Sequence, residues 1–173
     1  MNDVKKDAVK YGVLSCCQFF ENIPHAEVAR ILRNSKVCAM LSKAEGANRA
    51  IYEALFSGVP IVVCRDNIGV NRAHVNEHTG AFASDEELDR VIERMIAGYA
   101  AYDTRTWALA NTGYVNATRV VNDTLKRLAL EAGEPWTQDI CPKKNGPNLL
   151  YVSEEDRLAM EPEYKRLEAY LDL

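Results

Sequence analysis

Two glutamates flank the start of a predicted helix, and together they could hold a ligand with several hydroxyl groups. Glu45 and Glu53 are the two acids of the segment "EGANRAIYEALFSGVPIVV". Carboxylates accept hydrogen bonds, so both side chains suit the hydroxyls of a sugar or a ribose. Between them, the backbone amides of Gly46, Ala47 and Asn48 at the helix start would suit a phosphate. The order of hydroxyl acceptor, anion site and hydroxyl acceptor matches the groups of a nucleoside diphosphate-sugar.

A simpler explanation of the same two acids stays open on spacing alone. Glu45 would be favoured by the positive end of the helix dipole. Glu53 would be a solvated residue, or it would pair with Arg49, four residues earlier on the helix. The predicted position of the loop that carries Glu45 supports the ligand interpretation. This loop follows a parallel strand, and such loops lie at the sheet edge where ligands bind.

The flanking sequence predicts the strands of an open parallel α/β sheet. Apolar runs predict strands over residues 11–20, 36–41 and 60–64, and a weaker edge strand over residues 81–84. The run at 60–64 is apolar on both faces, which is typical of a central strand covered by helices on both sides.

Helical periodicity alternates with these strands and gives a Rossmann-like order with helices on both faces. The helix that contains Glu53 is expected to end before Gly58, which fits the left-handed position after a helix, and Pro60 prevents its continuation. The predicted helices cover residues 24–35, 47–56, 85–97, 104–111, 116–132 and 153–173.

This pattern predicts that the chain divides into two parts. Residues 1–132 are predicted to form a truncated Rossmann-like domain, and residues 133–173 an extended connector and a terminal helix packing on it. We expect the domain to lack its first βαβ unit, or to be a shortened member of its class, because no helical pattern of any length precedes the first predicted strand.

Composition narrows the class of protein. With 173 residues, 47% hydrophobic content and a net charge of -4, the chain gives no support for nucleic-acid binding and has no integral membrane segment. The five cysteines are predicted to be reduced, mostly within buried strands, in a cytoplasmic protein. The three histidines show no metal-ligand spacing, so we expect no metal site.

The segment around the two acids resembles the E-x7-E segment of group 1 retaining glycosyltransferases, which have the two-domain GT-B fold. The match extends over about residues 11–96 and includes a "TG" loop followed by a helix. The residues that fit the family pattern are Ser42, Glu45, Gly46, Glu53, Ala54, Gly58, Pro60, Val62 and Val63.

The resemblance implies the carboxyl-terminal, donor-binding domain of a hexosyltransferase-type enzyme that moves a sugar from a nucleoside diphosphate to a hydroxyl acceptor. A glycan or lipid carrier in polysaccharide biosynthesis would be such an acceptor, and no cofactor is implied. By position, Glu45 would contact the donor sugar and Glu53 the ribose. The backbone amides of residues 46–48 would face the diphosphate or the sugar. Glu21 and Asn22 would lie near the base. The full-length enzyme would be cytoplasmic, with peripheral association at the inner membrane face left open.

The sequence departs from the family in three ways. Asn48 stands where many members have a second glycine. The family's phosphate-binding cations are not found in residues 1–10, whose lysines are expected to be surface charges, and the amino-terminal acceptor domain is expected to be absent. The chain alone is therefore expected to be nearly inactive. A non-catalytic α/β nucleotide-binding or interaction module, or a fragment of a GT-B sugar-nucleotide epimerase, remains an alternative.

Overall fold

The computed structural model describes residues 2–46, 48–144 and 150–171, and its centre is a parallel sheet. The strands are β1 (Cys38–Met40), β2 (Ile61–Cys64) and β3 (Gly80–Ala83), in the order β1-β2-β3. Both strand pairs are parallel. The predicted α/β class, the central position of β2 and the edge position of β3 are confirmed.

Seven helices accompany these strands in the described part of the chain, together with short 3-10 turns. They are α1 (Asn2–Lys10), α2 (His25–Arg33), α3 (Arg49–Phe56), α4 (Leu88–Gly98), α5 (Thr104–Asn111), α6 (Gly113–Glu131) and α7 (Glu154–Tyr170). Except for α1, each corresponds to a predicted helix.

The core has two sides because successive residues of β2 point to opposite faces of the sheet. Ile61 and Val63 join a cluster that includes Leu55 of α3, whereas Val62 packs with Met95 of α4. All four residues of β2 are buried. The sheet is therefore covered by helices on both faces, as the uninterrupted apolar run predicts.

Local signals fix the ends of α3. The Asn48 side chain accepts a hydrogen bond from the Ile51 amide at the start of the helix. At the other end, the Val59 amide donates to Ala54 and the Gly58 amide donates to Leu55, both at 3.0 Å. Gly58 has a φ of 83°, so this is the Schellman termination that the glycine predicts.

The strand prediction for residues 11–20 is wrong. This segment contains a turn and a short 3-10 helix, Leu14–Cys16, and most of its side chains are exposed. A strand forms by pairing its backbone with a neighbour, and among the described residues β1 pairs with β2 alone. The apolar residues of the segment have a strand-like composition without a sheet partner.

Two further expectations for the start of the chain are also wrong. Cys16 and Cys17 are exposed, and Cys64 is the one buried thiol among the five free cysteines. A helix, α1, precedes the segment in place of the expected absence of helical structure. Its lysines lie at the surface as predicted, and the Lys6 ammonium lies 3.3 Å from the Asp3 carboxylate.

The described residues of the connector between α6 and α7 form no helix and no strand of the sheet. The connector contains an isolated antiparallel bridge between Lys143 and Tyr151. Lys143 Nζ donates to Tyr164 Oη at 2.6 Å, which ties this bridge to α7. The Ser153 side chain accepts from the Asp156 amide at 3.0 Å and so caps α7.

Candidate functional site

One face of α3 carries a mixed stripe of charged and aromatic side chains. Arg49, Tyr52, Glu53 and Phe56 occupy positions i, i+3, i+4 and i+7, which lie on one side of a helix. The other side packs into the core, and its buried residues are Ile51, Ala54 and Leu55. Packing of the core side therefore fixes the direction in which the stripe points.

This stripe forms a wall of a cleft with a volume of about 1450 Å³. Helix α2 contributes a second wall, and the first turns of α6 contribute a third. The lining includes apolar surface from Val28, Leu32 and Phe56 beside the polar groups of α3. Apolar walls with a few placed polar groups are typical of small-molecule sites.

Glu53 is the predicted ribose-binding residue, and it lies in this cleft. Its side chain is 39% exposed, and its Oε1 is 4.0 Å from Nδ1 of His25 at the start of α2. Glu53 makes no ion pair with Arg49 in the described part of the chain. The simpler explanation that Arg49 neutralises Glu53 is therefore not the arrangement observed.

A hydrogen-bonded aromatic cluster supports the middle of the stripe. Tyr52 Oη lies 2.8 Å from His74 Nδ1, and Asn71 Nδ2 lies 3.2 Å from His74 Nε2. Since the Asn71 amide donates, Nε2 accepts, and Nδ1 carries the proton and donates to Tyr52. The Trp107 ring meets the His74 ring edge to face, with centroids 5.5 Å apart.

Burial in this cluster favours the neutral forms of both titratable groups. It lowers the pKa of His74 and raises the pKa of the Tyr52 phenol. Sequence reasoning missed this cluster, because Tyr52 and His74 are 22 residues apart and belong to no shared motif. It missed His25 as a cleft residue for the same reason.

Glu45 lies in a different place, on the loop between β1 and α3, where a neighbouring loop holds it. The Glu45 amide donates to the Ile68 carbonyl, and the Ile68 amide donates to the Lys43 carbonyl, both at 2.9 Å. Buried Asn67 adds a hydrogen bond from its Nδ2 to the Ser42 carbonyl at 2.7 Å. Residues 42–45 of this loop therefore stand at the carboxyl edge of the strands, as predicted, and these hydrogen bonds hold their backbone.

Three of the other predicted site residues are exposed, and one lies outside the described part of the chain. Gly46 is exposed, and a Cβ there would meet no heavy atom within 4 Å. Glu21 and Asn22 are exposed just before α2, and Asn22 has a left-handed φ of 54°. Ala47 lies outside the described residues.

The structure thus divides the predicted site into two parts. Among the described residues that line the cleft, Glu53 is present, while Glu45, Gly46, Glu21 and Asn22 are not. Asn48 uses its side-chain oxygen as the helix cap, so that oxygen already has a donor. The roles of these residues toward a ligand stay predictions.

An open parallel sheet with a partly polar cleft beside the helix that follows its first strand defines an α/β domain with a candidate ligand-binding cleft. The family model described as "Glycosyl transferases group 1" matches residues 2–105, which include all three strands. The chain belongs to the group 1 glycosyltransferases, and this membership supports a role in glycosyl transfer. No curated protein and no solved structure matches the chain with significance.

Two further features of the described residues concern membranes and metal ions. None of their helices is long and apolar enough to cross a membrane. None of their His, Cys, Asp and Glu side chains forms a group of three or more that could hold a metal ion.

Proposed function

We propose that this chain binds the nucleoside diphosphate-sugar donor of a retaining glycosyl transfer to a hydroxyl acceptor such as a glycan or lipid carrier. The observation that carries the proposal is the position of Glu53 in the wall of a large, partly apolar cleft. A carboxylate in such a wall offers acceptor oxygens to two neighbouring hydroxyls of a ribose. Membership of the group 1 glycosyltransferases supports the same ligand class.

In this proposal the two parts of the site hold two ends of the donor. Glu53 accepts hydrogen bonds from the ribose, while the apolar surface of Val28 and Phe56 packs against the nucleoside. Glu45 accepts from the sugar hydroxyls, and the amides of residues 46–48 face the diphosphate. Glu21 and Asn22 border the base.

Catalysis would then consist mainly of positioning and of charge stabilisation. The bond between the anomeric carbon and the diphosphate breaks, and the diphosphate leaves with the electron pair. Donors fixed before reaction stabilise the negative charge that develops on this leaving group. The acceptor hydroxyl forms the new bond to the anomeric carbon on the same face of the sugar, which defines a retaining transfer, and its proton passes to the leaving diphosphate.

Titration of the chain with UDP, GDP and ADP, and with their sugar derivatives, tests the proposal by calorimetry. At least one nucleotide should bind, and Glu53→Gln should weaken it by about tenfold or more, because a hydrogen bond to a charged acceptor is lost. Glu93→Gln, on exposed surface of α4, is the matched control and should bind as the wild type does. Absence of binding to every nucleotide would contradict the proposal and favour an interaction module.

We further propose that the chain alone is nearly inactive as a transferase, because the resemblance assigns acceptor binding to an amino-terminal domain. A sugar-transfer assay with the purified chain should show turnover far below an ordinary enzymatic rate of about 10 per second. Turnover at that ordinary rate would contradict this part of the proposal. Interconversion of the donor into its epimer would instead identify a sugar-nucleotide epimerase.

A further inference from the structure

The cleft contains a cation that the sequence interpretation did not assign to the ligand. Arg49 is the first residue of α3, one helical turn before Glu53, and it lines the same wall. It is the one Lys or Arg among the described residues of the cleft lining. The side chain is exposed, so its guanidinium is accessible from the cleft.

Arg49 also differs from several other arginines of the molecule in its contacts. Arg30 pairs with Glu27, and Arg157 pairs with Glu154, with nitrogen–oxygen distances of 2.5 and 2.7 Å. Within the described ranges, Arg49 has neither an ion-pair partner nor a side-chain hydrogen bond. Its five N–H donors are therefore available to a ligand.

The spacing of Arg49 and Glu53 suits two adjacent parts of one nucleotide. Residues four apart on a helix have Cβ atoms about 5–6 Å apart. This separation is of the same order as that between the hydroxyls of a ribose and the phosphate on its 5′ carbon. A ribose on Glu53 would therefore bring its phosphates within reach of the Arg49 guanidinium.

We propose that Arg49 binds the phosphates of the donor and makes the cleft selective for nucleoside diphosphates over nucleosides. The inference rests on the proposed function, since it places the ribose on Glu53. A guanidinium can donate two parallel hydrogen bonds to phosphate oxygens, and it stays charged at any ordinary pH. Arg49 thereby provides a positive charge in the cleft from α3. No described residue among the first ten of the chain lines the cleft.

The experiment compares each of UDP, GDP and ADP with the matching nucleoside, using the full chain and calorimetry. The wild type should bind the diphosphate at least about tenfold more tightly than the nucleoside. Arg49→Gln should weaken diphosphate binding by about ten- to hundredfold and leave nucleoside binding unchanged. The diphosphate affinity of Arg49→Lys should lie between those of the wild type and Arg49→Gln, because an ammonium keeps the charge without the paired donors.

Two controls separate a ligand contact from a general loss of structure or charge. Arg94→Gln removes an exposed arginine of α4, whose residues pack on the opposite face of the sheet, and should bind both ligands normally. Glu53→Gln should weaken the nucleoside and the diphosphate alike, because both contain the ribose. Far-ultraviolet circular dichroism of Arg49→Gln should match that of the wild type.

The outcomes distinguish this inference from the function on which it rests. Equal loss of nucleoside and diphosphate binding in Arg49→Gln, or no change in either, would overturn the assignment of Arg49 while leaving nucleotide binding intact. Equal binding of nucleoside and diphosphate by the wild type would overturn it in the same way. Failure of the wild type to bind any of the nucleotides or nucleosides would overturn both the inference and the proposed function.

Discussion

Replacement of Gly69 by alanine tests how the loop that carries Glu45 is held in place. Gly69 has a φ of 106°, a conformation that residues with a side chain rarely adopt. A Cβ there would overlap the Glu45 carbonyl oxygen and would lie 2.9 Å from its carbonyl carbon. Since the obstacle is backbone, either the Glu45 loop or the loop after β2 must move.

The cost can be worked from the contacts between these two loops. A backbone conformation of this kind costs about 1–3 kcal/mol for a residue with a side chain. Displacement would also break the Glu45–Ile68 and Ile68–Lys43 backbone hydrogen bonds, each worth about 0.5–1.5 kcal/mol. Gly69→Ala should therefore lower the free energy of unfolding by about 2–6 kcal/mol, against a usual total of about 5–15 kcal/mol.

Urea unfolding followed by circular dichroism measures this change, with the wild-type m-value as a check on two-state behaviour. Gly46→Ala is the matched control, because its Cβ would enter open space, and its stability should stay within about 0.5 kcal/mol of the wild type. A Gly69→Ala protein within about 0.5 kcal/mol of the wild type would refute the account of how the two loops meet.

Two further predictions concern the support of the α3 stripe. Burial lowers the pKa of His74 from its ordinary value of 6.5. The neutral His74 side chain therefore contributes fully to stability above pH 6.5, and this contribution is lost as the pH falls through the folded-state pKa. Urea unfolding at about pH 7.5 and about pH 5 should show this loss, and His74→Asn should reduce the difference. Leu55→Ala should cost about 2–5 kcal/mol, since Leu55 is fully buried, and a thermal-shift change that implies less than about 1 kcal/mol would contradict this packing.

The elements with local signals could be predicted from the sequence. Asn48, Gly58 and Pro60 set the limits of α3, and each acts through backbone chemistry within a few residues. The central strand could be predicted for a similar reason, because an apolar run on both faces needs cover on both faces. Residues 11–20 have the composition of a strand, but composition does not supply the neighbour with which a strand pairs.

The sequence also could not predict which side chains contact each other in the candidate site. Glu53 could be singled out because its spacing from Glu45 is local, whereas the imidazole that it approaches, His25, comes from another helix. The contact between Tyr52 and His74 depends on how the 3-10 turn after β2 packs on α3, which no spacing along the chain reveals. The sequence therefore predicted the two acids of the site but not the side chains that surround them.

Helix α3 links the stability of the domain to the geometry of its cleft. Its eight residues divide into a core side, with Leu55 and Ile51, and a cleft side, with Arg49 and Glu53. A helix this short has little stability of its own in water, so packing on β2 holds both sides in place. The cavity that Leu55→Ala creates would destabilise the core. It would also allow α3, and with it the stripe, to rotate or loosen. Ligand affinity should consequently fall in Leu55→Ala although the side chain lies outside the cleft, and nucleotide titration of that variant measures the coupling.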